Sequence, residues 1–376
     1  MKITVPTIDF GTSKIVTMVA QSNGERCDIV GSGAVPYSGY LQDGWNNPDE
    51  IRDVIRTAID QAQKTGNCRI HELNVGVPGM FTRVIVKEVH VSLTGPDPHV
   101  TAQDVRACFK LAEESGGDRI IHSAPAWFRV DDGKKTLSPV GIKGRELSAM
   151  IALVTADKYF IDDITYRLRD MDIEPREFYS TVAGEATYAL SQDERDKTAM
   201  LIDIGYLCTD VMVMEGDALI FHKCLDIGGG HISADIAEQL NIPFPFVEEK
   251  IKQTYSFNST NQDETYVIPA TEDEPARTVR RDEVTPIIEA KVEEIAEAIN
   301  KALEEGGVKL GKWSNVYLTG GGLILNKGGK DFLASHVFSS AVGLTILVVT
   351  TQEEQKAPEG GAKGLFSRAF RWLMGY

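Results

Sequence analysis

A chain of 376 residues with 42% apolar content can bury the cores of two to four globular units, which excludes wholesale disorder. Lys and Arg number 39 against 55 Asp and Glu, and a net charge of -16 argues against a general grip on nucleic-acid phosphates, so no nucleic-acid partner is expected. The five cysteines, Cys27, Cys68, Cys108, Cys208 and Cys224, are scattered without a C-x-x-C pair or metal-ligand spacing, which predicts neither a disulfide framework nor a zinc site and suits a reduced, cytoplasmic setting.

Met1 to Val5 run directly into a strand pattern with no basic and apolar leader, so export is not expected. Ile3 to Ile8 and Ile15 to Ala20 flank Asp9-Phe10-Gly11-Thr12-Ser13-Lys14 and predict a hairpin. Asn47-Pro48 opens a predicted helix whose Ile51, Val54, Ile55, Ala58, Ile59 and Ala62 share a face; Gly66 closes it and Leu73 to Val77 is the next strand. From Val84 to Ala156 short predicted strands are broken by Gly, Pro and Asp, with Glu88 to Ser92 alternating as a half-buried strand does, which predicts a small α+β insertion. Ile161 to Met171 reads as a helix, Ala199 to Met214 as a second hairpin around Gly205, and Ile232 to Leu240 as a short helix after Gly228-Gly229-Gly230. Ser256 to Asp282 is polar and turn-rich, predicting loops and edge strands. A long helix follows, with Val284, Ile287, Ile288, Ile295, Ile299 and Leu303 at helical spacing before Gly306-Gly307. Val316 to Thr319 is a strand running into Gly320-Gly321-Gly322, and the apolar run Ala341 to Val349, too short to cross a bilayer as a helix, predicts a buried strand.

Two hairpins each carry an Asp at the end of the first strand, in Asp9-Phe10-Gly11-Thr12 and Asp203-Ile204-Gly205, and two such turns can converge on one anion. Glycine lets backbone N–H groups approach a phosphate, Thr12 and Ser13 add donors and Lys14 a charge, while Asp9 and Asp203 can hold Mg2+ through water. Either turn alone is equally well a tight turn. The third element, Leu318-Thr319-Gly320-Gly321-Gly322, sets a glycine turn after a strand, where backbone can pass beneath an adenine or ribose. In this order the three resemble the actin, Hsp70 and sugar-kinase superfamily, which implies an actin-like ATPase fold: α/β, two duplicated domains around a nucleotide cleft.

Within that superfamily the sequence resembles the FtsA family of bacterial cell-division actins. The resemblance rests on Ile29-Val30-Gly31-Ser32-Gly33 with Asp43-Gly44 and the helix to Gln63, on Val75-Gly76-Val77-Pro78-Gly79 before the insertion, on Ile121-His122, Pro125, Ser138-Pro139-Val140-Gly141 and Gly144 within it, and on Leu190-Ser191-Gln192-Asp193-Glu194-Arg195 before the second hairpin. It implies a first domain over 1–83 and 157–198, an inserted subdomain over 84–156, a second domain over 199–350 with a variable subdomain at about 232–310, and a C-terminal segment over 351–376. It also implies ATP and Mg2+ as ligands, with Glu249 and Lys252 flanking the adenosine; the same two residues equally suit an exposed i, i+3 ion pair. Asp235 reads as a helix-start carboxylate. The second turn departs from the family's glycine-rich form, with Tyr206, Leu207 and Cys208 where backbone must approach phosphate, and this favours nucleotide as a conformational ligand with at most weak ATPase activity. The catalytic residue stays unknown, Glu185 being only a guess.

Leu365, Phe366, Phe370 and Leu373 share one helical face, Arg368 and Arg371 lie opposite, and Trp372 sits at the boundary, the pattern of a helix lying in an anionic lipid surface. A last core helix is the alternative. The family resemblance implies self-assembly into filaments, a place on the inner face of the cell membrane at the division site, and FtsZ as partner, with Arg277, Arg280 and Arg281 as contacts. A PilM-like assembly-platform protein of a pilus or secretion machine is the competing reading, and a sugar kinase or phosphatase of the same fold a third.

Overall fold

The computed structural model describes residues 3–24, 26–41, 44–117, 119–257, 259, 263–270, 275–309, 315–322 and 339–356. Runs of alternating and β-branched residues pair Ile3–Phe10 (β1), Lys14–Ser22 (β2) and Cys27–Pro36 (β3) as an antiparallel meander, with Phe10 opposite Ile15 at the first turn. Two short strands, Tyr40–Leu41 (β4) and Gly44–Trp45 (β5), lead to the helix Ile51–Gly66 (α1), which starts three residues after Pro48. The strand Glu72–Val77 (β6) lies parallel to β1.

The sheet is covered on both faces, and period 2 sorts its side chains between them. Ile8, Phe10, Ile15 and Val19 pack on Ile51, Ile55, Ala58, Ile59 and Ala62 of α1. Ile3, Val5 and Ala20 pack instead on Leu344, Leu347 and Val348 of the last described helix. Each such Ile or Leu contributes about 1.5–3 kcal/mol by leaving water.

The chain then leaves this sheet for Thr82–Ser92 (β7), Ala102–Glu114 (α2), Ile120–Val130 (β8) and Glu146–Ala156 (β9), a three-stranded sheet in the order β7-β9-β8 with α2 against it. Thr101 and Asp104 close the start of α2 as a capping box. These strands are 11 residues long, not short as the interrupting Pro and Gly suggest; Pro125 is absorbed by a register shift between Pro125 and Trp127. The helix Lys158–Arg169 (α3) returns Phe160, Ile164 and Leu168 to the first core, and Glu174–Ser180 (β10) pairs parallel with β6, completing the order β10-β6-β1-β2-β3.

Thr181–Ala189 (α4) and the short Gln192–Arg195 (α5) lead into Ala199–Ile204 (β11), Thr209–Glu215 (β12) and Ala218–Leu225 (β13), a second antiparallel meander. Gly229–Gln239 (α6), Phe244–Phe246 (α7), a π-turn at Val247–Ile251 and Lys252–Thr254 (α8) follow. The hairpin Thr265–Ile268 (β14) and Arg277–Arg280 (β15) precedes the long helix Arg281–Glu305 (α9), which tolerates Pro286 in its second turn. Val316–Thr319 (β16) then pairs parallel with β11, giving the order β13-β12-β11-β16. The second sheet thus repeats the first: three antiparallel strands, then a parallel one beside the strand that opens the meander.

The run Ala341–Val349 is helical, not a strand: it lies inside Ser339–Lys356 (α10). Its β-branched composition suits a strand locally, but Thr345 and Thr351 bond back to the carbonyls of Ala341 and Leu347, and the helix buries residues around its circumference, among them Thr345, Thr350 and Gln352. The C-terminal segment expected from residue 351 begins as the last turns of this helix.

Candidate functional site

The repeat places the β1–β2 turn and the β11–β12 turn opposite one another. Each is closed by the same bond, Gly11 N–H to Lys14 O at 3.1 Å and Gly205 N–H to Cys208 O at 2.9 Å. Leu207 N–H donates to Thr12 Oγ1 at 3.0 Å and ties the turns together. Between them lies a cavity of about 500 Å3 lined by Asp9, Gly11, Thr12, Ser13, Lys14, Asp203, Gly205, Lys252, Gly320, Gly321 and Gly322, a size suited to a small-molecule ligand.

Burial shifts the protonation equilibria of its charged groups. Burial pushes the Asp9 carboxyl up to about 6 against a hydrogen bond from Ser340 Oγ at 2.7 Å. Burial, then the neighbouring Asp210, push Asp203 up to about 7. Asp203 is half-buried as a residue, yet its Oδ1 is shut from solvent with no hydrogen-bond partner among the described residues. Gly320 makes that closeness possible: at φ +101 it turns beneath Asp203, and a Cβ there would stand 2.1 Å from the orphaned oxygen. Burial lowers Lys14 while Asp9 and Asp203 raise it. Glu185, 1% exposed, takes a hydrogen bond from Ser339, and burial, then Asp203, hold it well above the carboxylate range. An orphaned buried carboxylate oxygen beside a second acid fits a hydrated cation, and Lys14 with the turn donors fits an anion beside it.

The second turn is less open to an anion than the first. Gly205 N–H and Leu207 N–H are already engaged, and the carbonyls of Gly205 and Tyr206 accept from Gly229 N–H at 2.8 Å and Gly230 N–H at 2.7 Å, so the turn is seated on the start of α6. Lys252, 4% exposed, donates to Gly229 O and to Glu248, both at 2.9 Å, and its Nζ lies 5.4 Å from the Tyr206 ring centroid. Glu249 is exposed and outside the cavity wall. Glu248, one turn before Lys252 on the same face, lines it instead. Asp235 reaches Lys291 of α9 at 2.9 Å.

Residues that support the first turn carried no local signal. Tyr37 and Tyr40 donate to Gly11 O at 2.7 Å and Phe10 O at 3.0 Å from a loop far along the chain, and Ser340 arrives from α10. The arginines expected to meet a partner do not form one exposed cluster. Arg281 is 7% exposed, stacked 4.2 Å from the Tyr255 ring centroid and bonded to Ser256 O at 2.6 Å and Glu264 at 3.1 Å. Arg277 closes on Leu240 O at 2.6 Å, and Arg280 pairs with Asp282 in the open. The amphipathic face of Leu365, Phe366, Arg368, Phe370, Arg371, Trp372 and Leu373 lies outside the described residues.

Two copies of one meander-plus-parallel-strand unit, with an inserted α+β subdomain and a cleft between their opening turns, define an actin-like protein. Residues 200–343 match the family model for cell division protein FtsA and residues 79–155 match the SHS2 domain inserted in FtsA, together more than half of the chain. The chain belongs to the FtsA family. It is 26% identical over 345 residues to cell division protein FtsA of Pseudomonas aeruginosa, covering 90% of this chain and 82% of that one. Among solved structures it is similar to a PilM–PilN type IV pilus biogenesis complex (TM-score 0.59, 16% identity, 92% of this chain and 99% of that chain) and to MreB5 of Spiroplasma citri bound to ADP (TM-score 0.54, 11% identity, 94% and 99%). Those two likenesses concern fold alone.

Proposed function

We propose that the chain is an actin-like cell-division protein that binds Mg2+-ATP in the cleft, polymerises, and tethers FtsZ to the cytoplasmic face of the membrane. The observation that carries the reading is the convergence of two hairpin turns and a glycine turn, from both halves of the molecule, on one cavity. In it Lys14, Thr12 and Ser13 hold the phosphates, Asp9 and Asp203 hold Mg2+ through water, Gly320, Gly321 and Gly322 pass beneath the adenosine, and Lys252 with Glu248 closes its far side. The engaged amides of the second turn support a ligand that closes the cleft and is consumed slowly. Arg280 and Arg277, on the β14–β15 hairpin, remain the contacts proposed for FtsZ, whereas Arg281 acts through the hairpin's packing.

Among the described residues no helix is long and apolar enough to cross a membrane, and the basic, aromatic stretch after Gly364 is proposed as the lipid contact. Sedimentation with anionic liposomes, with and without ATP, beside a chain ending at Glu359 tests this. Binding lost only in a folded truncated chain supports the adaptor, and FtsZ co-sedimentation is then the next measurement. A full-length chain that ignores lipid removes the tether and leaves an assembly-platform role of the PilM kind as the stronger reading.

A further inference from the structure

A second cluster of ligand-type side chains lies at the edge of the cleft, on β13, β12 and the turn before it. The pattern is Cys208 in the turn just before β12 with Asp210 on it, and His222-Lys223-Cys224 on β13, where strand period 2 puts His222 and Cys224 on one face. Register does the rest: Asp210 is opposite Cys224 and Met212 opposite His222, so Asp210, His222 and Cys224 meet on the same side of the sheet. One ligand atom each from Cys208, Asp210 and Cys224 lies within 4.8 Å of the others. His222 Nε2 is 2.7 Å from Asp210 Oδ1, and the His222 side chain is 2% exposed. The neighbouring backbone leaves room for this: a Cβ at Gly79 would stand 2.1 Å from Asp210 Oδ1 and 2.9 Å from His222 Nε2.

The geometry points to a binding site for one thiophilic divalent ion, Zn2+ by preference, held by Cys208 Sγ, Cys224 Sγ and the Asp210 carboxylate. Tetrahedral Zn–S bonds of ~2.3 Å and Zn–O bonds of ~2.0–2.2 Å need the three donors to close by only about 1 Å. His222 then serves as the partner that orients the carboxylate, as second-layer groups do at metal centres. Binding releases two thiol protons to solvent as the two Zn–S bonds form, and water fills the fourth position. The site reaches solvent from both sides, since Cys208 and Asp210 line the cleft and His222 and Cys224 line the neighbouring groove past Gly79.

The test uses the reduced full-length chain and Co2+ as a spectroscopic stand-in, with Zn2+ as competitor. A thiolate-to-cobalt charge-transfer band that saturates at one ion per chain and is displaced by Zn2+ is expected. Cys208→Ser and Cys224→Ser abolish it, Asp210→Asn weakens binding at least tenfold, and Cys27→Ser leaves it unchanged. In the unaltered chain Zn2+ shields Cys208 and Cys224 from iodoacetamide while Cys27 and Cys68 still react, a readout that does not depend on any variant folding. Absence of the band, its survival in both serine variants, or equal alkylation with and without Zn2+ overturns the proposal. So does a Cys208–Cys224 disulfide formed in air by a chain that takes up no metal when reduced, which makes the pair a redox couple.

Discussion

Gly320 adopts φ +101 with its backbone against the orphaned oxygen of Asp203, so Gly320→Val strains the turn and pushes a side chain into the position proposed for the cation at once. A loss of about 1–3 kcal/mol in folding stability is expected, together with disappearance of the ATP-induced rise in Tm, both read by thermal unfolding with and without Mg2+-ATP. Asp9→Asn separates the two effects. It removes a buried charge that folding disfavours, so the nucleotide-free Tm rises at neutral pH while the ATP shift is lost; an unchanged ATP shift rules out Asp9 as a ligand. His122 offers a pH prediction away from the cleft. Burial lowers its imidazole from 6.5 to about 4, so between those values the unfolded chain binds a proton that the folded chain refuses. The stability present above pH 6.5 is therefore lost as pH falls toward 4. The ring is half-buried and partly screened, which brings the effect to about 1–2 kcal/mol. His122→Gln flattens that part of the Tm profile relative to the unaltered chain; parallel profiles exclude the assignment.

At the scale of elements, the packing of α10 on α4 depends on two glycines. A Cβ at Gly184 would stand 2.8 Å from Gly343 O, and one at Gly343 would stand 2.6 Å from Glu185 Cα, so the helices touch backbone to backbone. Gly343→Leu forces them apart, costs about 2–4 kcal/mol in urea unfolding, and displaces Ser339 from Glu185 and Ser340 from Asp9. This helix also marks where sequence reading stops. α1 and α9 were legible because one face of each is wet, and the two hairpins because a glycine turn separates paired apolar runs, whereas α10 is buried around its circumference and carries no period to detect. Asp9 to Lys14 were legible as a site because they are contiguous. Ser340, Tyr37 and Glu248 were not, since tertiary contact alone brings them there. The Cys208, Asp210, His222 and Cys224 cluster escaped for a related reason: its spacing is set by strand register, which a search for C-x-x-C does not test.

For the molecule as a whole, each half has a core of its own, a shared core of Val182, Ala183, Ala186 and Leu190 with Leu201, Met212, Met214 and Leu219 joins them, and Leu207 N–H to Thr12 Oγ1 links them across the cleft. A ligand held by both turns couples them: ATP at 100 times its Kd adds about 2.7 kcal/mol and merges domain unfolding into a single calorimetric transition. Two transitions that persist at saturating Mg2+-ATP put the ligand on one half only. The chain leaves the first half at Leu190 to Thr198, and this passage is fastened to the second half by Arg195, which donates to Leu190 O at 2.5 Å and to Gly216 O at 3.0 Å. The anchor is a buried guanidinium gripping both ends of the connection, so a displacement of α4 is handed on to the second sheet as a push on a rod, where a bare loop would absorb it.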